Sequence, residues 1–378
     1  METILFIVGI ILFILLVVIH ELGHAIAAQR NGVVVEEFGI GFPPKAWGKK
    51  LKNGVLFTLN WLPLGGFVKL KGETDDARGK GTYGAAPLAV KAKILLAGVV
   101  MNWVTAVLIF TILAVTGMPR LVPGQFTVAA DTRVVSQPVV ALAVEKGSPA
   151  DKAGIRDGDT ILAINGQAIA SDQQLRDTTK ANTGQTVKLT YARDGAEKTV
   201  DVALRDQKTG QLGVAPFFQE MTYSTWSAPL VGVGLTAQLS AMTVEGVGKA
   251  LWNLVAGLAQ KIIPSEQVQK QANEALTEAG GSVAGPVGII NLLQQVAKNM
   301  GLAGVMLIIA VISLTLAVMN VLPIPALDGG RLFVTLLFRG LKKPLRRETE
   351  EKIHGTGFIV LMLLFVVITV LDVSRLAR

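Results

Sequence analysis

The sequence predicts a polytopic α-helical membrane protein with four transmembrane helices, strand-like segments in a cytoplasmic loop and one inserted extracytoplasmic α+β domain. Three observations carry this. The 378 residues are 51% hydrophobic and 17% charged, with a mean hydropathy of +0.49, whereas ordinary soluble domains are about 25% charged. The apolar residues gather in long runs, and lysine and arginine gather between those runs. One stretch instead alternates short β-branched segments with turn residues. The composition excludes a disordered chain. The absence of cysteine excludes a disulfide-stapled module and any thiolate-ligated zinc or iron–sulfur centre.

A bilayer core needs roughly 20 apolar residues at a rise of about 1.5 Å each. Residues 3–19, 94–118, 302–322 and 355–371 are uncharged over comparable lengths. With their flanks they give spans at 1–28, 92–118, 301–330 and 355–372. The first run lacks a basic leader and continues into His20-Glu21 rather than a small-residue cleavage site, so it is expected to be a retained span. Residues 29–93 hold eleven Lys and Arg against five acidic residues, and 339–352 hold six against three. The positive-inside rule therefore puts the loops 29–91 and 331–354 in the cytoplasm. The linker 119–126, the domain 127–207, a linker with amphipathic helices at 208–300 and the tail 373–378 then lie outside, in a multi-pass protein of the cell's inner, cytoplasmic membrane. Residues 226–244 are also uncharged, but Ser227, Thr236, Gln238, Ser240, Thr243 and Pro229 make a poor span. A further crossing there would invert the last two spans. An interfacial helix on the outer surface is expected instead. Because the net charge of +8 flanks spans, nucleic acid is a disfavoured partner and the lipid bilayer a favoured one.

Within 127–207, residues 139–144, 160–164, 187–193 and 198–204 are expected as strands and 171–180 as a helix. The run Gly147-Ser148-Pro149-Ala150-Asp151-Lys152-Ala153-Gly154-Ile155-Arg156-Asp157-Gly158-Asp159, followed by Ile161-Leu162-Ala163-Ile164-Asn165-Gly166, resembles bacterial PDZ domains. That resemblance implies a groove beside an exposed strand that takes an extended peptide by strand addition. A rigid spacer with an unused groove is the plain alternative.

The first span ends in His20-Glu21-Leu22-Gly23-His24, the pattern H-E-x-x-H. Residues i and i+4 share one helix face, so His20 and His24 can both offer a ring nitrogen to one Zn²⁺, with Glu21 placed to take a proton from water. Ionisable groups continuing a membrane helix are costly there and functional by default. A catalytic zinc site uses three protein ligands. There is no cysteine, and the remaining histidine, His354, is expected near the basic loop, so the third ligand should be a carboxylate. Asp328 is the candidate, in Asn320-Val321-Leu322-Pro323-Ile324-Pro325-Ala326-Leu327-Asp328-Gly329-Gly330. That segment lies at the matching end of the third span, where prolines and glycines end the helix.

These residues together resemble the site-2 protease family (M50) of intramembrane zinc metalloproteases, in its bacterial form with one PDZ domain, over essentially the whole chain. His20, Glu21 and His24 match its H-E-x-x-H, Asn320 to Gly330 its N-x-x-P-x-P-x-L-D-G-G, and Gly98 to Asn102 a motif of the second span, with Val99 where many relatives have proline. The resemblance implies zinc on His20, His24 and Asp328, Glu21 as catalytic base, and Asn320 and Asn102 as substrate-holding residues. It also implies that the strand-like segments 33–40, 55–59 and 64–70, with Gly65 and Gly66, form a membrane-dipping hairpin whose edge holds an unwound substrate. Ala284-Gly285-Pro286-Val287-Gly288-Ile289 resembles a further family element. The substrates implied are single-pass membrane proteins, such as anti-sigma factors or signal-peptide remnants, often trimmed first by a site-1 protease and screened by the PDZ domain. The competing reading is a non-catalytic PDZ scaffold or receptor. A structural zinc there would want four protein ligands, and only three are in register.

Overall fold

The computed structural model describes residues 2–206, 211–261 and 285–376. Within the expected elements, residue 207, the linker portions 208–210 and 262–284 (Ala284 included), Met1 and the last two tail residues lie outside that description. In chain order the elements are α1 (Glu2–Arg30), β1 (Val35–Lys50), β2 (Leu56–Leu70), α2 (Leu88–Thr116), β3 (Met118–Pro119), β4 (Arg133–Ser136), β5 (Val139–Val144) and α3 (Pro149–Lys152). They continue with β6 (Thr160–Ile164), β7 (Gln167–Ala168), α4 (Asp172–Ala181), β8 (Thr186–Arg193), β9 (Ala196–Ala203), β10 (Val214–Phe217) and β11 (Glu220–Tyr223). The chain then closes with α5 (Ala228–Gln260), α6 (Pro286–Val321), α7 (Asp328–Gly340) and α8 (Arg347–Leu376). Two compact units result, residues 114–228 and the remainder on either side.

In the helical unit, each expected apolar run falls on a helix. Among the described residues five helices are long and apolar enough to cross a membrane: Thr3–Arg30, Leu88–Thr116, Ala228–Gly257, Met300–Val321 and Arg347–Ser374. Helix α6 is broken at Gly301, which sits at φ 60°, so its apolar part starts there. Helix α6 packs against α1 on both sides of that break. Gly9 abuts Leu293 on the segment before the break, Gly304 lies back against Val296 across it, and beyond the apolar part His20 meets Asp328 at the start of α7. Helix α2 passes behind α1 where Gly23 faces the Ala97 carbonyl; a Cβ on Gly23 would lie 2.6 Å from that oxygen. Helix α8 is fastened to the start of α6 by buried Asp372, whose carboxylate accepts the Gly288 N–H at 2.8 Å. A Cβ on Gly285 or Gly288 would come within 2.7 or 3.0 Å of that carboxylate. The Gly-Pro-x-Gly element is thus a seat for an acidic side chain at a helix N-terminus.

The expected hairpin is larger than two segments. Glu37–Ile40 lie beside both Leu56–Leu59 and Gly66–Lys69, while Trp47–Lys50 also pair with Leu56–Leu59. Both strands therefore fold over into a sheet four segments wide, with 66–70 on an edge. Phe42, Trp47, Leu59, Trp61 and Leu62 are exposed at its far end. Its near end packs with Ala25, Ala28, Tyr83, Ile94 and Leu95 on α1, α2 and the intervening loop.

Helix α5 departs from expectation. It is one helix of 33 residues, and its first half is laid along α2. Gly232 sits against Val107 and Thr111, and the Trp103 indole donates to Ser240 Oγ at 3.3 Å. The reason is local. Thr236, Ser240 and Thr243 donate to the carbonyls of Gly232, Thr236 and Leu239 at 2.6, 2.7 and 2.8 Å. The hydroxyls that made the segment look polar are consumed by the helix itself.

The other unit is β-rich. Its larger sheet has the order β10-β5-β6-β8-β9 with β7 on β6, and a second sheet has the order β3-β11-β4. The expected strands and helix are β5, β6, β8, β9 and α4, the helix capped by Ser171 Oγ accepting from the Gln174 N–H. Val139, Ala141, Ile161, Ile164, Leu175 and Leu189 form its core. The sheet takes in β10, past the expected edge at 207, because β10 pairs with β5. Asp131 accepts from the N–H and hydroxyl of both Thr225 and Ser227, at 2.5 to 3.0 Å, which ties the end of this unit to its own loop.

Candidate metal centre

Helix α1 carries His20 and His24 one turn apart, and α7 opens with Asp328, after the break that Pro323 and Pro325 impose on α6. Gly329 and Gly330 let α7 turn back against α6: Cβ atoms there would lie 2.1 Å from the Val321 oxygen and 1.9 Å from the Ile324 oxygen. Asp328 Oδ2 then lies 3.2 Å from His20 Nε2 and 3.3 Å from His24 Nε2, and the two Nε2 atoms are 3.1 Å apart. Among the described residues this is the one His/Cys/Asp/Glu group able to hold a metal, with its ligand atoms all within 4.8 Å of one another.

The hydrogen bonds around this cluster test whether a cation fits. His24 Nδ1 lies 2.8 Å from the Ile94 carbonyl, which can only accept, so Nδ1 carries the proton and Nε2 presents a bare lone pair to Asp328. Asp328 Oδ2 is buried with no donor aligned on it. Lone pairs converging at this distance repel unless a cation lies between them. Buried Asn102 reaches His20 Nδ1 at 3.3 Å through its amide nitrogen, leaving Oδ1 without a partner. With the amide turned over, Oδ1 accepts the His20 Nδ1 proton and both atoms are satisfied. His20 Nε2 is then a ligand like its neighbour, and the residues fit zinc.

A cavity of about 340 Å³ opens beside the cluster, lined by Glu21, Phe67, Val68, Tyr83, Asn320 and Arg331 among others. Glu21 stands on its wall next to both histidines, and the β2 edge passes over it, with a Cβ on Gly66 lying 3.4 Å from Glu21 Cγ. Gly65 holds φ 86° at the bend of β2. Asn320 is on the wall, with Nδ2 donated to the Leu316 carbonyl at 3.0 Å. Asn102, expected beside substrate, is instead packed behind His20 and off the wall.

Sequence reasoning gave no role near the metal site to four residues, Gly98 among them although it opens the second-span motif. Gly98 brings α2 against both imidazoles. Buried Tyr83 lies between Lys91 and Arg331, at 5.3 and 5.8 Å from their cations, and burial holds its phenol well above the ordinary range, so it stays protonated. Lys91 is itself fully buried and paired with Asp75. His354 bonds the backbone at Ala326. An H-E-x-x-H pattern signals none of these, because each comes from a remote part of the chain.

The fold and this ligand set define a membrane-embedded zinc metalloprotease. Residues 8–364 match peptidase family M50, and the chain belongs to that family, the site-2 proteases. A protein of Clostridium perfringens with a provisional zinc-metalloprotease name is 31% identical over 97% of both chains. The zinc metalloprotease RasP of Geobacillus kaustophilus is 27% identical, again over 97% of both. The PDZ domain of the SdrC-like protein from Listeria monocytogenes matches 21% of this chain and 86% of its own at 28% identity, with a TM-score of 0.19. The topology of the inserted unit given above rests on its own strand pairing.

Proposed function

We propose that the protein cleaves peptide bonds in or next to the transmembrane segments of single-pass membrane proteins. The observation that carries this is the convergence of His20, His24 and Asp328 at the ends of two apolar helices, with Glu21 on the adjoining cavity wall. Zinc held by these residues supplies Lewis-acid polarisation of the scissile carbonyl and of the attacking water. Glu21 takes the water's proton and returns it to the leaving amine nitrogen. Asn102 orients His20, while Asn320 bonds a peptide group of the substrate. A helical substrate hides its amides, so an unwound segment must be held extended. The edge segment at Gly66–Leu70, entered through Gly65, borders the cavity and would offer backbone groups for that in exchange for its own contacts, the Leu70 N–H being donated to Glu73 at 2.7 Å.

The charge bias of the loops supports a metal site near the cytoplasmic side of the inner membrane and an inserted PDZ-like domain outside, with the role of screening substrates that a site-1 protease has trimmed. The apolar run of α1 and that of α6 beyond Gly301 both lead into the shared ligand cluster at one depth, which supports one direction for both and an odd number of crossings between them. Helix α2 supplies one. If α5 crossed completely, residues 262–284 would have to return, yet they carry Glu266, Lys270, Glu274 and Glu278. We therefore take α5 as a helix that enters beside α2 from the outer side without crossing, which keeps four spans.

The test is Glu21→Gln in membranes containing a single-span reporter. Zinc content and folding are expected to persist while cleavage falls by at least roughly 10²- to 10⁴-fold. Undiminished cleavage would sink the assignment of Glu21, and loss of zinc would show that Glu21 belongs to the ligand set.

A further inference from the structure

Building on the zinc-protease reading, we propose that His354, the remaining histidine of the chain, is a positioning residue that holds the metal-ligand loop in register so that Asp328 meets the two imidazoles. The loop from Leu322 to Leu327 has few bonds of its own, Ile324 N–H to the Leu322 carbonyl at 2.7 Å and Leu327 N–H to the Ile324 carbonyl at 3.1 Å. At its centre Ala326 sits at φ 78°, a left-handed conformation that a residue with a Cβ seldom holds without help. Its N–H does not bond within the loop. It crosses to α8 and is donated to His354 Nδ1 at 3.2 Å.

One turn further along α8, Gly357 seats the preceding residue. A Cβ there would lie 2.5 Å from Pro325 Cβ and 2.7 Å from the Pro325 oxygen. His354 and Gly357 together form a helix face that clasps Pro325-Ala326, two residues before the ligand. Because His354 Nδ1 accepts, its proton sits on Nε2, which is enclosed and has no partner among the described residues. The ring therefore contributes one acceptor aimed at one backbone donor. Without it, Ala326 is free to leave the left-handed region, and a φ change two residues upstream re-aims the Asp328 carboxylate.

The test measures metal binding by the detergent-solubilised full chain, through competition with a chromophoric chelator and through the visible spectrum of the cobalt(II)-substituted protein. His354→Phe keeps ring volume and removes the acceptor. His354→Asn puts an oxygen where Nδ1 was. His354→Phe is expected to weaken zinc binding roughly 10- to 100-fold and shift the cobalt bands, and His354→Asn to stay within about threefold of the parent with parental bands. Parental affinity in His354→Phe overturns the proposal, and so does a His354→Asn variant as weak as His354→Phe. If His354→Phe does not fold, His354→Asn decides alone: loss of zinc from that folded variant overturns the proposal, and parental affinity upholds it. His24→Ala separates failure of the underlying reading, since parental zinc binding there would mean that the metal site itself is misplaced.

Discussion

Gly98→Ala puts the approach of α2 to the metal ligands to a quantitative test. A Cβ at position 98 would stand 2.5 Å from His24 Nε2 and 2.7 and 2.8 Å from His20 Cε1 and Nε2. Ordinary contact begins at 3.4 Å, so the new methyl overlaps the His24 nitrogen by about 0.9 Å, and the ring must retreat by that much. Metal–ligand distances tolerate shifts of only about 0.2 Å, several times less than the forced displacement. The helix itself gains, since alanine is favoured over glycine in a helix interior by roughly 1 kcal/mol. The substitution therefore separates folding from metal binding. The expected outcome is a folded protein whose thermal stability in chelator is no lower than the parent's, with zinc content near zero and no cleavage. Metal content by atomic emission after dialysis, read beside a melting curve, checks both halves. One zinc per chain held with parental affinity would refute the reasoning, because α2 could not then lie against the imidazoles.

Substitutions at two other positions address groups outside the ligand set. Asn102→Ala should weaken zinc binding roughly 10- to 100-fold, while Asn102→Asp, which keeps an acceptor toward His20 Nδ1, should recover most of it; equal affinity for all three proteins in chelator competition would exclude an orienting role. In the inserted unit, the hydroxyls and N–H groups of Ser227 and Thr225 hold the Asp131 carboxyl down at about 2. A depressed carboxyl contributes stability that is present above its unfolded value, near 4, and is lost as pH falls through the folded value. Hydrogen exchange at Thr225–Ala228 should therefore be steady from pH 7 to 5 and accelerate, beyond its intrinsic pH dependence, only between about 4 and 2. Asp131→Ala should exchange faster throughout and lack that transition.

What the sequence made legible was periodic or local. Uncharged runs of span length became helices because nothing else in the chain can bury them. The i, i+4 spacing of His20 and His24 set their common face before any packing was known. Asp328 was reachable by elimination, with no cysteine and one other histidine to weigh. The features that stayed hidden depend on partners far along the chain. Gly98 opens a motif of the second span, but its role against the imidazoles shows only when α2 is laid against α1, and His354 looks like part of a basic loop until α8 meets the ligand loop 28 residues upstream. Helix α5 misled for a different reason. Counting Thr236, Ser240 and Thr243 as polar presumes that their hydroxyls need water, and in a helix each can be satisfied one turn back.

The placement of the ligand set at span ends also follows from its charge. Two neutral imidazoles add nothing, Asp328 contributes one negative charge and Glu21 another, and a divalent cation cancels both. Loaded with zinc, the site has a formal charge of zero, which is the cheapest state for a centre close to hydrocarbon. Without metal, two carboxylates face each other across the histidines. Backbone of α2 at Gly98 covers one side of the cluster, and the cavity that Glu73 and Arg331 also line borders the other. A site of this kind binds its metal tightly because the alternative to binding is an uncompensated pair of charges, and its fold and its cofactor are coupled for the same reason. The glycines around it are then the means by which backbone comes close to a charged centre, and at Gly98 an added methyl displaces a ligand ring rather than the fold.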